Sequence, residues 1–165
     1  MKKYLLDTNI FIQAHRLYYP FDVVPTLWRK FIELSDRELI YSIDKVKKEI
    51  CNPSDPDALA LWCLNDLDNN FFLDSSSCLD FYAEIAKWVY SNQHYTPFAK
   101  SIFLETDLAD PWLIAYAKGH DFILVSEETS EPLRRNKVKI PDVCTHFGVK
   151  CITTMQMFRE LGETF

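Results

Sequence analysis

The sequence predicts a three-layer α/β/α fold, rich in helices, with a short parallel central sheet and one domain over residues 1–165. Three observations lead to this prediction. Short, uniformly apolar runs such as residues 4–6 and 122–125 are typical of strands that are buried on both faces of a parallel sheet. Segments with apolar residues at helical spacing separate these runs. A length of 165 residues, 48% of them hydrophobic, fits one domain with a well-filled core.

The first part of the chain alternates between strand and helix. An apolar strand at residues 4–6 ends before Asp7, and a helix follows it. Pro25 is expected to begin a second helix, because proline suits the first helical position. A second strand at residues 39–41 leads to Ser42, which we expect to cap the next helix.

The remainder of the chain is mostly helical, with two further strands. The elements are expected as helices over residues 57–68, 78–90, 96–104 and 108–117 with an end near Gly119, a strand over 122–125, a short helix from Pro141, a strand over 151–152, and a last helix capped by Thr153 or Thr154. Helices between parallel strands are what a sheet covered on both faces requires.

Composition excludes several classes of site. With only three glycines, the sequence lacks a glycine-rich phosphate loop and a dinucleotide-binding fingerprint. The five cysteines form no Cys-x-x-Cys pair, and their number is odd, which argues against a disulfide framework or a structural zinc site. No signal peptide or membrane-spanning run is recognisable, so a cytoplasmic location without a membrane partner is expected. The net charge of −6 argues against nucleic-acid binding through overall positive charge.

Four acidic positions are expected to meet at one edge of the sheet. Asp7 ends the first strand, Glu49 lies on the helix after the second, and Asp110 begins a later helix. Glu127 or Glu128 follows the next strand. Ligands of parallel sheets bind beyond the carboxyl ends of the strands. Because clustered carboxylates repel one another, they favour a bound cation, and oxygen ligands suit Mg²⁺ or Mn²⁺.

Each acid also has a purely structural explanation. Asp7 could cap the first helix, and Asp110 before Pro111 is a suitable helix cap with proline at the first helical position. Glu49 could be a solvated helix residue, and the two later glutamates could form an ordinary polar loop. The functional interpretation therefore depends on all of them falling at one edge of the sheet.

Three segments, taken in order, resemble the PIN-domain family. Residues 5–10, Leu-Leu-Asp-Thr-Asn-Ile, are similar to the opening PIN motif, an apolar strand followed by Asp-Thr-Asn or Asp-Thr-Ser. Residues 110–117 resemble the later PIN helix, which begins with Asp and continues Leu-Ile-Ala. Residues 122–128 resemble the following strand, which usually ends Val-Thr-x-Asp. Together these segments extend from residue 5 to residue 128, which is most of the chain.

The resemblance implies an endoribonuclease that depends on Mg²⁺ or Mn²⁺, often the toxin of a bacterial toxin–antitoxin pair. Carried over by position, Asp7, Glu49 and Asp110 are the central metal-binding and catalytic acids. Glu128 matches the fourth acid best, although the family usually has Asp there. The metal would activate water for attack on a phosphodiester without a covalent protein intermediate.

Further residues are assigned supporting roles. Residues expected to support the acids are Thr8, Asn9, Ser126, Glu127 and Asp107, of which Ser126 stands at the family's Thr position. Basic residues that could guide the RNA backbone are Lys47, Lys48, Arg134 and Arg135. The expected partners are RNA, an antitoxin protein and a second copy of the chain.

Three other interpretations compete with the nuclease. A non-catalytic PIN-fold module could bind RNA or a protein through the same fold. A haloacid-dehalogenase-type phosphatase would also place Asp after the first strand, but it needs a second Asp two residues later, where this chain has Asn9. In the third, all four acids are caps and surface residues in a fold of unrelated function.

Overall fold

A parallel sheet of five short strands forms the centre of the protein, which is described by a computed structural model over residues 1–51 and 54–165. The strands are β1 (Tyr4–Leu6), β2 (Ile40–Ile43), β3 (Phe72–Leu73), β4 (Ile123–Val125) and β5 (Cys151–Ile152). They lie in the order β3-β2-β1-β4-β5, and every neighbouring pair is parallel. All residues of β1 are buried, as expected for the central strand.

Helices connect the strands and cover the sheet. Those in the described residues are α1 (Thr8–Gln13), α2 (Pro25–Asp36), α3 (Asp44–Ile50), α4 (Ala58–Asn65), α5 (Leu79–Ser91), α6 (Pro97–Phe103), α7 (Ala109–His120), α8 (Ile140–Phe147) and α9 (Thr154–Leu161). A π-helical turn (Ala14–Tyr18) continues α1, and a 3₁₀ turn (Ser75–Cys78) precedes α5.

The helices form an outer layer on each face of the sheet. On one face, aromatic rings join α1, α2, α4 and α9, with centroid distances of 5.6 Å for Phe11 and Phe31, 4.8 Å for Trp28 and Trp62, and 6.0 Å for Phe31 and Phe158. Helix α7 packs against α5 and α8. Because the chain runs outward from β1 to β3 and then returns to β4, right-handed connections place this second group on the opposite face. The predicted three-layer α/β/α class is thus confirmed.

The strand β2 is longer than the sequence predicts, and β3 is not predicted at all. Ser42 does not cap α3; it lies inside β2, opposite Phe72, and its hydroxyl donates a hydrogen bond of 2.7 Å to the Leu6 carbonyl. The predicted cap is wrong because pairing with β3 extends the strand past Ser42. A two-residue strand has too short a sequence pattern to be recognised before its partner is known.

Most helix boundaries agree with the local sequence signals. Thr96 caps α6, and Thr153 caps α9 through a reciprocal capping box with Gln156. Helix α7 passes the predicted stop at Gly119 and ends at His120, and its C-cap residue Asp121 adopts a left-handed conformation with φ of 57°. Close packing explains the glycine, since a Cβ at this position would lie 3.1 Å from the Phe81 ring.

No helix in the described part of the chain is both long enough and apolar enough to span a bilayer.

Candidate functional site

An open cleft of about 460 Å³ lies beyond the carboxyl ends of the central strands. It is lined by the four acids that the sequence singles out: Asp7, Glu49, Asp110 and Glu128. The cleft lies next to the boundary between β1 and β4, where the strand order reverses direction and ligands of such sheets commonly bind. Four acids from four separate segments thus meet at the predicted edge. Thr8 and Asn9 line the same cleft.

Asp7 is the most buried of these acids, with only 1% of its surface exposed. It occupies the cap position of α1, yet its side chain makes no capping hydrogen bond. Instead, Oδ2 accepts a hydrogen bond of 3.0 Å from the Ser126 hydroxyl. The other oxygen, Oδ1, is buried and has no hydrogen-bond partner among the described residues. A helix cap therefore does not explain Asp7, whereas a missing ligand on Oδ1 would.

Burial raises the pKa of Asp7 from its ordinary value of 3.8 to about 7. The hydrogen bond from Ser126 opposes this shift, while the charges of Glu128 and Glu49 add to it. The pKa of Asp110 is also raised, first by burial and then by the charges of Asp7, Glu128 and Glu49. The two aspartates therefore lie in a low-dielectric cluster that a cation would stabilise.

Asp110 enters the cleft from the first turn of α7. The sequence offered Asp110 as the cap of this helix with Pro111 at the first helical position, but that alternative is wrong. The cap position is Leu108, and Asp110 is the second helical residue. Because the helix begins one residue before Asp110, the Ala109 amide needs a hydrogen-bond acceptor from another segment. Glu49 supplies this acceptor.

Glu49 joins three helices at the edge of the cleft. Its Oε2 accepts a hydrogen bond of 2.5 Å from the Thr8 hydroxyl of α1, and its Oε1 accepts one of 2.8 Å from the Ala109 amide of α7. A carboxylate next to the first amide of a helix interacts favourably with the helix dipole. Glu49 is therefore more than a solvated residue on α3.

Two different substitutions at Glu49 should distinguish the effect of its capping hydrogen bond from the effect of its negative charge. We expect Glu49→Ala to lower the free energy of unfolding by about 1–2 kcal/mol, because the Ala109 amide loses its acceptor. Glu49→Gln keeps an acceptor and should change stability by less than about 0.5 kcal/mol, while it weakens metal binding. Urea unfolding measures the first effect, and Mn²⁺ titration measures the second. Equal stability of the Ala and Gln variants would contradict the capping role.

Glu128 follows β4 and lies at the other side of the cleft. Its Oε2 accepts a hydrogen bond of 2.8 Å from the Ile140 amide, the first of α8, and its Oε1 lies 3.6 Å from Lys137 Nζ. Its backbone amide donates to the Ser126 hydroxyl at 3.2 Å. Ser126 thereby connects Asp7 to Glu128.

The neighbouring Glu127 points away from the cleft. Its Oε1 accepts a hydrogen bond of 2.9 Å from the Thr154 amide, the first of α9, and it lines a different cavity together with Ile10 and Phe31. Of the two glutamates left open by the sequence, the structure therefore brings only Glu128 to the other acids. Glu127→Gln supplies a matched control for substitutions at Glu128.

Of the remaining predicted residues, some line the cleft and others lie away from it. Arg134 lines the cleft, but Lys47 lies over the Phe72 ring at 5.7 Å. Asp107, Lys48 and Arg135 are exposed and are not among the cleft-lining residues. Only Arg134 among the four predicted basic residues is thus positioned beside the acids.

Asn136 and Lys137 also line the cleft, and they belong to the basic run at residues 134–139 that was expected to guide the RNA backbone. Sequence reasoning gave no role to the apolar residues of the lining, which include Phe98, Ile102 and Leu108. Phe98 directly follows the helix-starting Pro97, and nothing in its spacing distinguished it from a core residue. Their position depends on contacts between distant segments.

Within the described residues, no set of three or more His, Cys, Asp or Glu side chains is already arranged to hold a metal ion. Both oxygens of Glu49 and one oxygen of Glu128 accept hydrogen bonds from protein groups. Asp7 offers the better fit, because it lines the acidic cleft and its buried Oδ1 has no hydrogen-bond partner among the described residues. Hard oxygen donors at this position suit Mg²⁺ or Mn²⁺, with Asp7 and Asp110 as the central pair.

Comparison with known proteins identifies a family but no activity. The family model for a domain of unknown function, DUF4411, matches residues 4–165. The chain belongs to this family. No curated protein and no solved structure matches the chain. The match includes all four acids of the cleft, so the site lies within the region that defines the family.

Proposed function

We propose that the protein is an endoribonuclease that depends on Mg²⁺ or Mn²⁺ and hydrolyses RNA phosphodiester bonds. One observation carries this proposal: four carboxylates from separate segments line one cleft, and a buried oxygen of Asp7 has no partner among the residues that the structure describes. The resemblance of three sequence segments to PIN domains, which include Asp7, Asp110 and Glu128, gives the same expectation.

Asp7 and Asp110 would hold the metal ion, with Glu49 and Glu128 at the margin of its site. When bound, such an ion lowers the pKa of water and offsets negative charge on a phosphodiester. Clustered carboxylates are costly without a cation, and both aspartates have raised pKa values, first because they are buried and then because the other acids lie nearby. The electrostatics of the cleft therefore favour a cation.

The surrounding residues fix the acids in place. Ser126 orients Asp7 through Oδ2 and leaves Oδ1 available for a ligand, while Thr8 and the Ala109 amide immobilise Glu49. Arg134 and Lys137 line the same cleft and supply positive charge for the RNA backbone. In the proposed hydrolysis, a water oxygen attacks phosphorus, the bond to the leaving ribose oxygen breaks, and no covalent protein intermediate forms.

The resemblance extends the proposal to biological context. It favours a role as the toxin of a toxin–antitoxin pair, with an antitoxin protein and a second copy of the chain as partners. Co-purification with the product of an adjacent gene would support that role. A nuclease active without any such partner would limit the proposal to RNA cleavage.

The decisive experiment is cleavage of a mixed RNA pool by purified protein in Mn²⁺, Mg²⁺ or EDTA. We expect cleavage with either metal and none in EDTA. Glu128→Gln should lower the rate roughly 10–100-fold, because it removes a charge from the margin of the metal site. Glutamine can still accept the hydrogen bond from the Ile140 amide, so the start of α8 is preserved.

Glu127→Gln is the matched control, since it removes one charge from the adjacent residue and keeps an acceptor for the Thr154 amide. Its cleavage rate should equal that of the wild type. Equal rates for both variants would exclude Glu128 from the site. Cleavage that persists in EDTA would contradict the metal-dependent mechanism.

A non-catalytic module that binds RNA or protein is the second candidate. The observation in its favour is that Glu49 and Glu128 already accept hydrogen bonds from helix amides. In that case, the acids would serve only to fasten the helices to the sheet edge. Absence of both metal binding and cleavage in the purified protein would favour this function.

A further inference from the structure

The cleft has an apolar wall that the acids do not explain. Helix α6 contributes Phe98, Ala99, Ile102 and Phe103 to this wall, and Leu108 continues it. Phe98 is 72% exposed and Ile102 is 44% exposed, whereas Phe103 is buried. Phe98 and Ile102 lie four residues apart on α6, so their exposed side chains form one apolar patch beside the polar site, and such a patch is a common mark of a ligand-binding surface.

A cationic segment forms another part of the same cleft. Arg134, Asn136 and Lys137 line it, and Lys137 Nζ lies 3.6 Å from Glu128 Oε1. The cleft therefore combines an aromatic surface, cationic groups and carboxylates. A nucleotide has the complementary parts, because it carries an apolar base face next to an anionic phosphate.

Hydrogen bonds hold the apolar and cationic walls in a fixed relation. The Thr96 amide donates to the Arg135 carbonyl at 3.0 Å, and His94 Nε2 lies 3.0 Å from the Arg134 carbonyl. Thr96 also caps α6, because its hydroxyl accepts a hydrogen bond of 3.1 Å from the Ala99 amide. The ring of Phe98 is thus carried by a helix whose first turn is attached to the cationic segment.

We propose that Phe98, flanked by Ile102, stacks on a nucleobase next to the phosphodiester that is cut, and so selects an unpaired segment of RNA. This inference rests on the proposed function. A base inside a duplex is stacked on both faces, whereas an unpaired base offers a free face to an aromatic side chain. Arg134 and Lys137 contact the adjoining phosphates, which places the base on the α6 side of the cleft.

Binding of a short, fluorescently labelled oligoribonucleotide tests the proposal. All proteins carry Asp7→Asn, which is expected to prevent metal binding and therefore cleavage, so that the oligonucleotide stays intact, as a gel verifies. Adding Phe98→Ala should weaken binding of the single strand roughly 5- to 100-fold, the range that stacking of one base supplies. Adding Phe98→Trp preserves a stacking surface and should change the affinity less than about 2-fold.

Tyr90→Ala is the matched control, because Tyr90 is a 76% exposed aromatic residue outside the cleft lining. It should leave RNA affinity unchanged. The proposal is overturned if Phe98→Ala binds as tightly as its parent, if duplex RNA binds as well as the single strand, or if the parent binds no RNA. If RNA affinity depends on Phe98 but the wild type shows no metal-dependent cleavage, the stacking role of Phe98 stands and the proposed nuclease activity is wrong.

Discussion

Replacement of Asp7 by Asn is expected to raise the stability of the metal-free protein and to abolish its stabilisation by Mn²⁺. In the metal-free state, ionised Asp7 is a buried charge near Glu49 and Glu128, so its removal should add about 1–3 kcal/mol at pH 8. Asparagine retains an acceptor for the Ser126 hydroxyl. Its neutral amide is a poor ligand for Mn²⁺ compared with a carboxylate.

Thermal unfolding with and without Mn²⁺ measures both effects. At about 100 times its Kd, the metal should stabilise the wild type by about 3 kcal/mol. That corresponds to a rise in Tm of roughly 5–12 °C for a domain of this size. Asp7→Asn should show no rise, whereas Glu127→Gln should behave as the wild type. A full Mn²⁺ shift in Asp7→Asn would show that the metal binds elsewhere.

The stability of the metal-free protein is expected to fall as the pH rises from 5 to 8. The pKa of Asp7 is about 7 in the folded protein and 3.8 ordinarily, so between these values the folded state binds more protons than the unfolded state. Its unfolding free energy therefore decreases with pH across this window, by roughly 2–3 kcal/mol. The raised pKa of Asp110 acts in the same direction.

Differential scanning calorimetry at several pH values, in EDTA, measures this dependence. The window above pH 5 avoids the opposite contribution of Glu160, whose pKa is lowered to about 2 by Lys150 and Tyr4. Asp7→Asn should flatten the profile, and Asp110→Asn should do so in part. Saturating Mn²⁺ should reverse the slope, because metal binding requires ionised carboxylates. A wild-type profile in EDTA that rises with pH would contradict the buried acidic cluster.

The alternation of apolar strands and amphipathic helices was sufficient to predict the fold class. Tyr4, Leu5 and Leu6 are too short a run for a helix and too apolar for a surface strand, so a buried parallel sheet was the consistent solution. Local chemistry also determined several helix starts, such as Thr96 before Pro97 and the capping box of Thr153. These signals act over a few residues, and tertiary contacts did not override them.

The grouping of the acids followed from topology, since carboxyl ends of parallel strands lie at one edge. The topology did not determine which of the two adjacent glutamates, Glu127 or Glu128, points into the cleft. Glu127 and Glu128 are adjacent in the chain but line different cavities, so a shift of one residue would exchange their roles. Their orientations are decided by the Thr154 and Ile140 amides, the first donors of two different helices.

Local sequence patterns were sufficient for the fold class, for the approximate starts of most helices and for the four segments that supply the acids. Folding was needed to bring Phe98 into the same cleft as the acids, to put Lys137 beside Glu128 and to leave Asp7 Oδ1 without a partner among the described residues. The physical reason is the distance along the sequence over which each kind of signal acts. Hydrophobic periodicity and capping are read within one or two turns of the chain, whereas the contents of a cleft depend on segments that meet only when the sheet has formed.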